Sequence, residues 1–325
     1  EDGPVGLSPG EVSANAQIAD RPDRVLAPRR ISPRTAAELG VAKFRDRAPL
    51  SKRVTGDPPA LNTTAVVAAD AYFCRSERKD NDGDRPSPKT EKGIEFGLDF
   101  LARYQSPQGS WSLSDFGAGR PGYANELANP RSDTAATGLA LLAFLGAGYH
   151  HRGDKHAEAV DSALGYLVRN QKGDGDLFAP QDQRSNGSVW LYSHGIATIA
   201  LCEAYGMTQD AAFHEPAQKA LDFIVTAQHP QRGGWRYSPN FGSDTSVTGW
   251  LTTALKCGEL ANLQVPRQAY EKIERWLDMA QASATEPHLY RYNPLAPNSS
   301  EQIGGRRPNE AMTAAGLLMR LYLGW

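Results

Sequence analysis

A chain of 325 residues, 40% hydrophobic and 22% charged, carries enough apolar material for one large core or two modest ones. Its formal net charge of -2 leaves no basic surplus to neutralise phosphates, so nucleic acid is excluded as an expected partner. Three cysteines, Cys74, Cys202 and Cys257, lie far apart without a C-x-x-C pair, which argues against a disulfide framework or a common structural zinc pattern. They read as buried thiols, with a single Cys202–Cys257 bridge left open because both fall on helices expected to be neighbours.

The chain opens on Glu1, so an upstream segment, such as a signal peptide, is expected to have been removed. From Glu1 to about Ala71 the only aromatic residue is Phe44, amid dense prolines and charges, and residues 1–90 read as an extended N-terminal arm or linker. Two short helices are expected within it, one opening at Ser32-Pro33 and one across TTAVVAADAYF. Asp80, Asp82, Asp84 and Glu91 fall at calcium-loop positions 1, 3, 5 and 12, but Arg85 replaces the required glycine and Pro88 offers no side-chain oxygen. That segment reads as a solvated acidic linker.

From about Glu91 to Trp325 one unit recurs every 50 to 65 residues, a period suited to a two-helix repeat. Its first half is an amphipathic helix ending in a glutamine: GLDFLARYQSPQGSW, ALGYLVRNQKGDGDLF, ALDFIVTAQHPQRGGW and the degenerate IERWLDMAQ, with Gln105, Gln171, Gln228 and Gln281 in equivalent places. Ile94, Leu98 and Leu101 share one face in the first copy, as do Ala217, Leu221, Ile224 and Gln228 in the third. The second half, DTAATGLALLAFL, HGIATIALCEAY, DTSVTGWLTTAL and NEAMTAAGLLMRLY, is apolar nearly all round and must be covered on every side. Thr134 to Tyr149, the longest uncharged stretch, is accordingly a buried helix and is too short for a membrane span. Alternating one-faced and all-round apolar helices predict an all-α fold over residues 91–325: an (α/α) toroid of two concentric layers, with an open solenoid as the alternative.

An apolar helix followed by Gln, a short turn, Gly and Trp resembles the QW repeat of squalene-hopene and oxidosqualene cyclases. Gln105, Gly109 and Trp111 match fully, Gln228, Gly233 and Trp235 match with one extra residue, and Leu177 replaces the Trp after Gln171 and Gly175. YSHGIATIALCEAYG, GGWRYSPNFGSDTSVTGW and MTAAGLLMRLYLGW also look like a bacterial branch of the terpenoid cyclase and protein prenyltransferase superfamily. The resemblance implies an (α/α)6 toroid with a central cavity. About four helix pairs are legible, so the natural protein is expected to continue beyond Trp325, or the ring to be open.

Aligning the inner helices on Thr137, Thr198, Thr248 and Thr313 puts Asp133, His194, Asp244 and Asn309 at one equivalent position a turn earlier, with Glu310 beside them. Asp133, His194, Asp244 and Glu310 are therefore the candidate catalytic ring, expected at one mouth of the cavity. Helix capping is the competing explanation for Asp133, Asp244 and Asn309. His150, His151 and His156 in YHHRGDKH read as a solvated loop. The connections Ser112 to Arg131 and Ala282 to Pro308 are long enough to be places to look for binding.

Three chemistries suit such a ring. In a protonation-initiated cyclase, Asp133 or Asp244 is the acid and Trp190, Tyr192, Trp250 and Tyr322 line the cavity, although the cyclase motif Asp-x-Asp-Asp is reduced to single aspartates in SDTA and SDTS. In a prenyltransferase-like site, Asp133, His194 and Asp244 supply metal ligands, but no cysteine accompanies them. In a carbohydrate-active toroid, Asp133 and Asp244 form the carboxylate pair. A non-catalytic toroid that binds an isoprenoid, a glycan or a protein partner, or acts as a scaffold, stands beside all three. The expected ligand is an apolar or isoprenoid small molecule; cofactor, metal and compartment stay unassigned, and no membrane-spanning segment is expected.

Overall fold

The computed structural model describes residues 87–324 apart from 114, 116–130, 154, 181–187 and 299–302. The 1–90 arm, its two short helices, Cys74 and the aspartates of the calcium-like segment lie almost wholly outside the described residues, which begin at Ser87. Among the described residues eight α-helices follow: α1 (Pro88–Arg103), α2 (Asp133–Gly146), α3 (Ala157–Arg169), α4 (Trp190–Thr208), α5 (Ala211–Thr226), α6 (Thr245–Leu260), α7 (Arg267–Ala280) and α8 (Glu310–Tyr322). A hairpin of β1 (Gln281–Ser283) and β2 (Glu286–Tyr290) separates α7 from α8.

Short polar residues start five of these helices. Ser87, Ser132, Asp210, Asp244 and Asn309 each accept a hydrogen bond from a first-turn N–H, and Pro88 stands where an N–H would be unpaired anyway. The amphipathic helices α1, α3, α5 and α7 form the outer layer. In α7 the buried residues Ala269, Ile273, Trp276, Leu277 and Ala280 trace a single stripe at the helical period.

The inner layer is α2, α4, α6 and α8, each packed against the next. They run parallel and in matching register. A Cβ on Gly138 would meet Ile196 and Ala197 on α4, one on Gly195 would meet Leu251 on α6, and one on Gly249 would touch Ala315 on α8, all at similar depth along their helices. Ser132 Oγ lies 2.7 Å from Ser193 Oγ, and Tyr192 donates to Ser246 Oγ at 2.7 Å, joining successive starts at one end. Parallel neighbours require a return helix between them, which is what each outer helix supplies. The result is the two-layered all-α arrangement expected from the repeats.

Three glutamine turns lock the layers together. Gln105 Nε2 donates to Gly109 O and Ala159 O (2.9 and 2.8 Å), Gln171 Nε2 to Gly175 O and Pro216 O (3.1 and 2.9 Å), and Gln228 Nε2 to Gly233 O and Ala269 O (2.7 and 3.0 Å). Each amide thus joins its own turn to the next outer helix. Gly109, Gly175 and Gly233 have φ of 90°, 94° and 81°, and a Cβ on any of them would overlap the carbonyl oxygen of Ser162, Lys219 or Lys272. Glycine is required there twice over, by backbone angle and by space.

Two burial expectations need correction. Ile94 is exposed rather than buried, because no earlier outer helix covers α1 among the described residues. On α8 only Gly316, Met319 and Arg320 are buried, while Leu317, Leu318 and Leu321 are open, since among the described residues α8 has an inner-helix neighbour, α6, on one side only. By contrast α4, in the middle, is covered without a break from Ser193 to Ala204. Cys202 and Cys257 lie on adjacent α4 and α6 as expected and are not joined by a disulfide, and burial raises the Cys202 thiol well above its ordinary value. No helix among the described residues is long and apolar enough to cross a membrane.

Candidate functional site

The repeat places a polar contact where each turn meets its inner helix. Trp111 N–H donates to Thr137 Oγ1 (3.1 Å), Trp235 N–H to Thr248 Oγ1 (3.0 Å) and Tyr290 N–H to Thr313 Oγ1 (3.1 Å). In the second repeat His194 replaces the threonine as acceptor. Leu177 N–H donates to its Nδ1 at 3.1 Å, and Nε2 faces Ala220 O at 3.1 Å. Those two contacts put the proton on Nε2. The ring is wholly buried, lies 4.7 Å from the Phe223 ring of the outer helix α5, and has Asp176 Oδ1 3.3 Å from Nδ1.

Asp176 completes this substituted turn. Its carboxylate accepts from Phe178 N–H (3.0 Å), Trp190 Nε1 (2.9 Å) and Lys172 Nζ (2.6 Å). Asp176, Leu177, Trp190 and His194 thus replace together the Trp and Thr pairing of the other repeats. His194 lies in the seam between layers, with both nitrogens engaged there. It also sits one turn inside α4, which starts at Trp190, so the threonine alignment does not set it at a helix start.

Asp244 is the N-cap of α6 and is wholly buried. It accepts from Val247 N–H (2.8 Å) and Tyr292 OH (3.1 Å), with Arg236 Nε 3.7 Å away. Tyr292 OH is 2.6 Å from Tyr237 OH, and the Tyr192 and Tyr237 rings are 6.4 Å apart. Burial pushes the Asp244 carboxyl up to about 6, against the pull of the Val247 N–H, Tyr292 and Arg236. Burial also raises Tyr192 to about 12 and, together with the Asp244 charge, raises Tyr292 further.

Asp133 has different surroundings. The cap of α2 is Ser132, whose Oγ accepts from Ala135 N–H at 3.0 Å, so Asp133 is one residue into the helix and its carboxyl is released from capping. It is half-buried and hydrogen-bonds Ser112, with Asp115 close by. Burial raises its pKa, the Ser112 bond opposes this, and the Asp115 charge adds to the rise. Ser112 and Asp115 also line an apolar pocket of about 300 Å³ between α1 and α2, whose other walls include Phe100, Leu101, Tyr104, Trp111, Leu113 and Leu139. Asp115 N–H donates to Ser112 Oγ at 3.2 Å, which holds this corner together.

Glu310, in the first turn of α8, is exposed. Among the described residues, then, Asp133, His194, Asp244 and Glu310 keep separate partners, and no hydrogen bond or ion pair joins any two of them. The residues that sequence reasoning missed are Asp115, Asp176, Tyr237 and Tyr292. Asp115 and Tyr292 stand in the two long connections singled out from the sequence, and each meets one of the predicted aspartates. Of the proposed aromatic lining, Trp190 is tied to Asp176, and Tyr192 belongs to the neighbourhood of Asp244.

No family model matches this chain, and no curated protein does. Among solved structures it is similar to the type II terpene cyclase MstE from Scytonema. To an arginine-to-alanine variant in complex with geranylgeranyl dihydroxybenzoate (substrate) it is 16% identical, with a TM-score of 0.43 over 80% of this chain and 62% of that one. To an aspartate-to-asparagine variant with the same compound it is 17% identical, with a TM-score of 0.37 over 79% of this chain and 68% of that one. An aspartate-to-alanine variant in complex with merosterolic acid A (product) gives 17%, a TM-score of 0.37, and 79% and 69% coverage. The chain therefore spans 62% of the first of these proteins, and likeness at this level carries no argument about activity.

Proposed function

We propose that this is a terpenoid-cyclase-like helical-repeat protein that takes a short isoprenoid in the pocket between α1 and α2, with Asp133 as the proton donor. One observation carries the reading: a carboxyl raised by burial and by a second carboxyl, Asp115, is hydrogen-bonded to the lining of an apolar, aromatic-walled pocket. Alkene protonation needs an acid whose neutral form is favoured beside an apolar surface, and cations need π faces. Phe100 and Tyr104, with ring centroids 4.5 Å apart, and Trp111 supply those faces.

The step balances without an oxidant or metal. A proton passes from Asp133 through the Ser112 hydroxyl, which lines the pocket, to an alkene carbon, the neighbouring carbon becomes a cation, a second π bond attacks it to close a ring, and a proton is then lost to a base. About 300 Å³ is at the small end of ligand pockets, which favours a short isoprenoid over a long polyene. Asp244 suits the acid role less well, because both its oxygens are held by the cap and by Tyr292.

The test uses the full chain with C10 to C20 linear isoprenoids, following binding by tryptophan fluorescence and cyclic products by gas chromatography with mass detection. Wild type is expected to bind and convert, Asp133→Asn to bind without converting, and Leu139→Arg to do neither. Binding without products in wild type would leave a carrier or scaffold. Equal binding by wild type and Leu139→Arg would remove the pocket from the reading altogether.

A further inference from the structure

The histidine-rich segment after α2 is not the solvated loop expected from its sequence. The side chains of His151 and His156 are each only 6% exposed. His156 stands just before α3 with its ring edge-on to Tyr149 at 4.9 Å and 5.2 Å from the Phe144 ring, which fixes its direction. Its Nε2 points at two carboxylates one turn apart on α1: Asp99 Oδ1 at 3.5 Å and Glu95 Oε2 at 4.0 Å. All three groups can offer a ligand atom within 4.8 Å of the others.

We infer that Glu95, Asp99 and His156 form a zinc site that clamps the outer helix α1 to the start of α3. A tetrahedral zinc ion with bonds of about 2.0–2.1 Å holds its ligand atoms roughly 3.3 Å apart. The imidazole and Asp99 are already near that spacing, and only Glu95, on a partly exposed side chain, has to close in. One nitrogen and two carboxylate oxygens are a borderline-hard set that suits zinc, with a fourth position left for water. Tyr149 OH donates to Glu95, the kind of outer contact that orients a ligating carboxylate.

Lys155 occupies the same ground. Its ammonium bonds Glu95 and lies 3.2 Å from Asp99, and it offsets one of the two negative charges. The lysine is 47% exposed on a flexible stem, so an entering dication displaces a solvated ion pair, which is a weak one. Metal and ammonium therefore compete for the same two carboxylates.

The experiment titrates tag-free, chelator-treated full chain with Zn2+ by calorimetry, and with Co2+ by its visible absorption as a report of coordination. Wild type is expected to bind one equivalent of Zn2+ with micromolar or tighter affinity and to gain melting temperature with the logarithm of free Zn2+ above its Kd. Asp99→Asn and Glu95→Gln, both at partly exposed positions that leave the core intact, are expected to weaken that equivalent by more than about 100-fold, beyond the usual cost of an outer-sphere change. Lys155→Met is expected to tighten it several-fold. The inference is overturned if no stoichiometric equivalent binds, if binding survives both carboxylate variants, or if removing the ammonium leaves the affinity unchanged.

Discussion

Asp244→Asn separates the electrostatic cost of the buried carboxyl from its role as a helix cap. At about 1.4 kcal/mol per pH unit, moving an aspartate from 3.8 to about 6 costs its ionised form about 3 kcal/mol in the folded chain. The sign follows from which state holds the proton more tightly. Here it is the folded state, so this contribution is fully present below about pH 4 and is lost as pH rises through about 6. Asparagine caps helices as well as aspartate does and does not titrate. Its Oδ1 can still accept from Val247 N–H, and its amide can donate to Tyr292 OH, which then donates onward to Tyr237. The Arg236 attraction and the charge-assisted cap bond are already contained in that net figure, so the variant should gain about 3 kcal/mol at about pH 7.5. At about pH 4 the gain should vanish. Urea unfolding of both proteins at intervals between these pH values isolates the effect, because every other titration is common to the pair. A stability difference that does not change with pH, or a variant that loses ground as pH rises, would refute the reasoning.

Two other substitutions test the scaffold. Gly233→Ala forces a left-handed residue and drives a methyl group into the Lys272 carbonyl, so a loss of roughly 3 kcal/mol or more is expected in thermal unfolding, against under about 1 kcal/mol at the exposed Gly173. His194→Leu strands the buried Leu177 N–H and Ala220 carbonyl, which should cost roughly 3 kcal/mol by denaturation while leaving isoprenoid affinity unchanged; a selective loss of affinity in a stably folded variant would restore His194 to the binding site.

What the sequence determined by itself is the part governed by local rules. Outer helices show as a single apolar stripe, inner ones as apolar on every side, and caps such as Asp244 and Asn309 as short polar residues before an apolar run, because helical period and capping depend on neighbours within about four residues. The glutamine turns were visible for the same reason, since Gln, Gly and Trp recur at nearly fixed spacing. Which polar groups meet was decided only in three dimensions. Asp133 and Asp244 hold equivalent places in the repeat, yet one meets Asp115 beside an apolar pocket and the other meets Tyr292, 48 residues away. His194, aligned with them by period, is turned into the seam between layers, and His156 reaches back to Asp99 across an intervening helix. A period specifies the position of a residue on its own helix. The partner of its side chain depends on the register between helices and on the path of the connecting loops, which have no period to read.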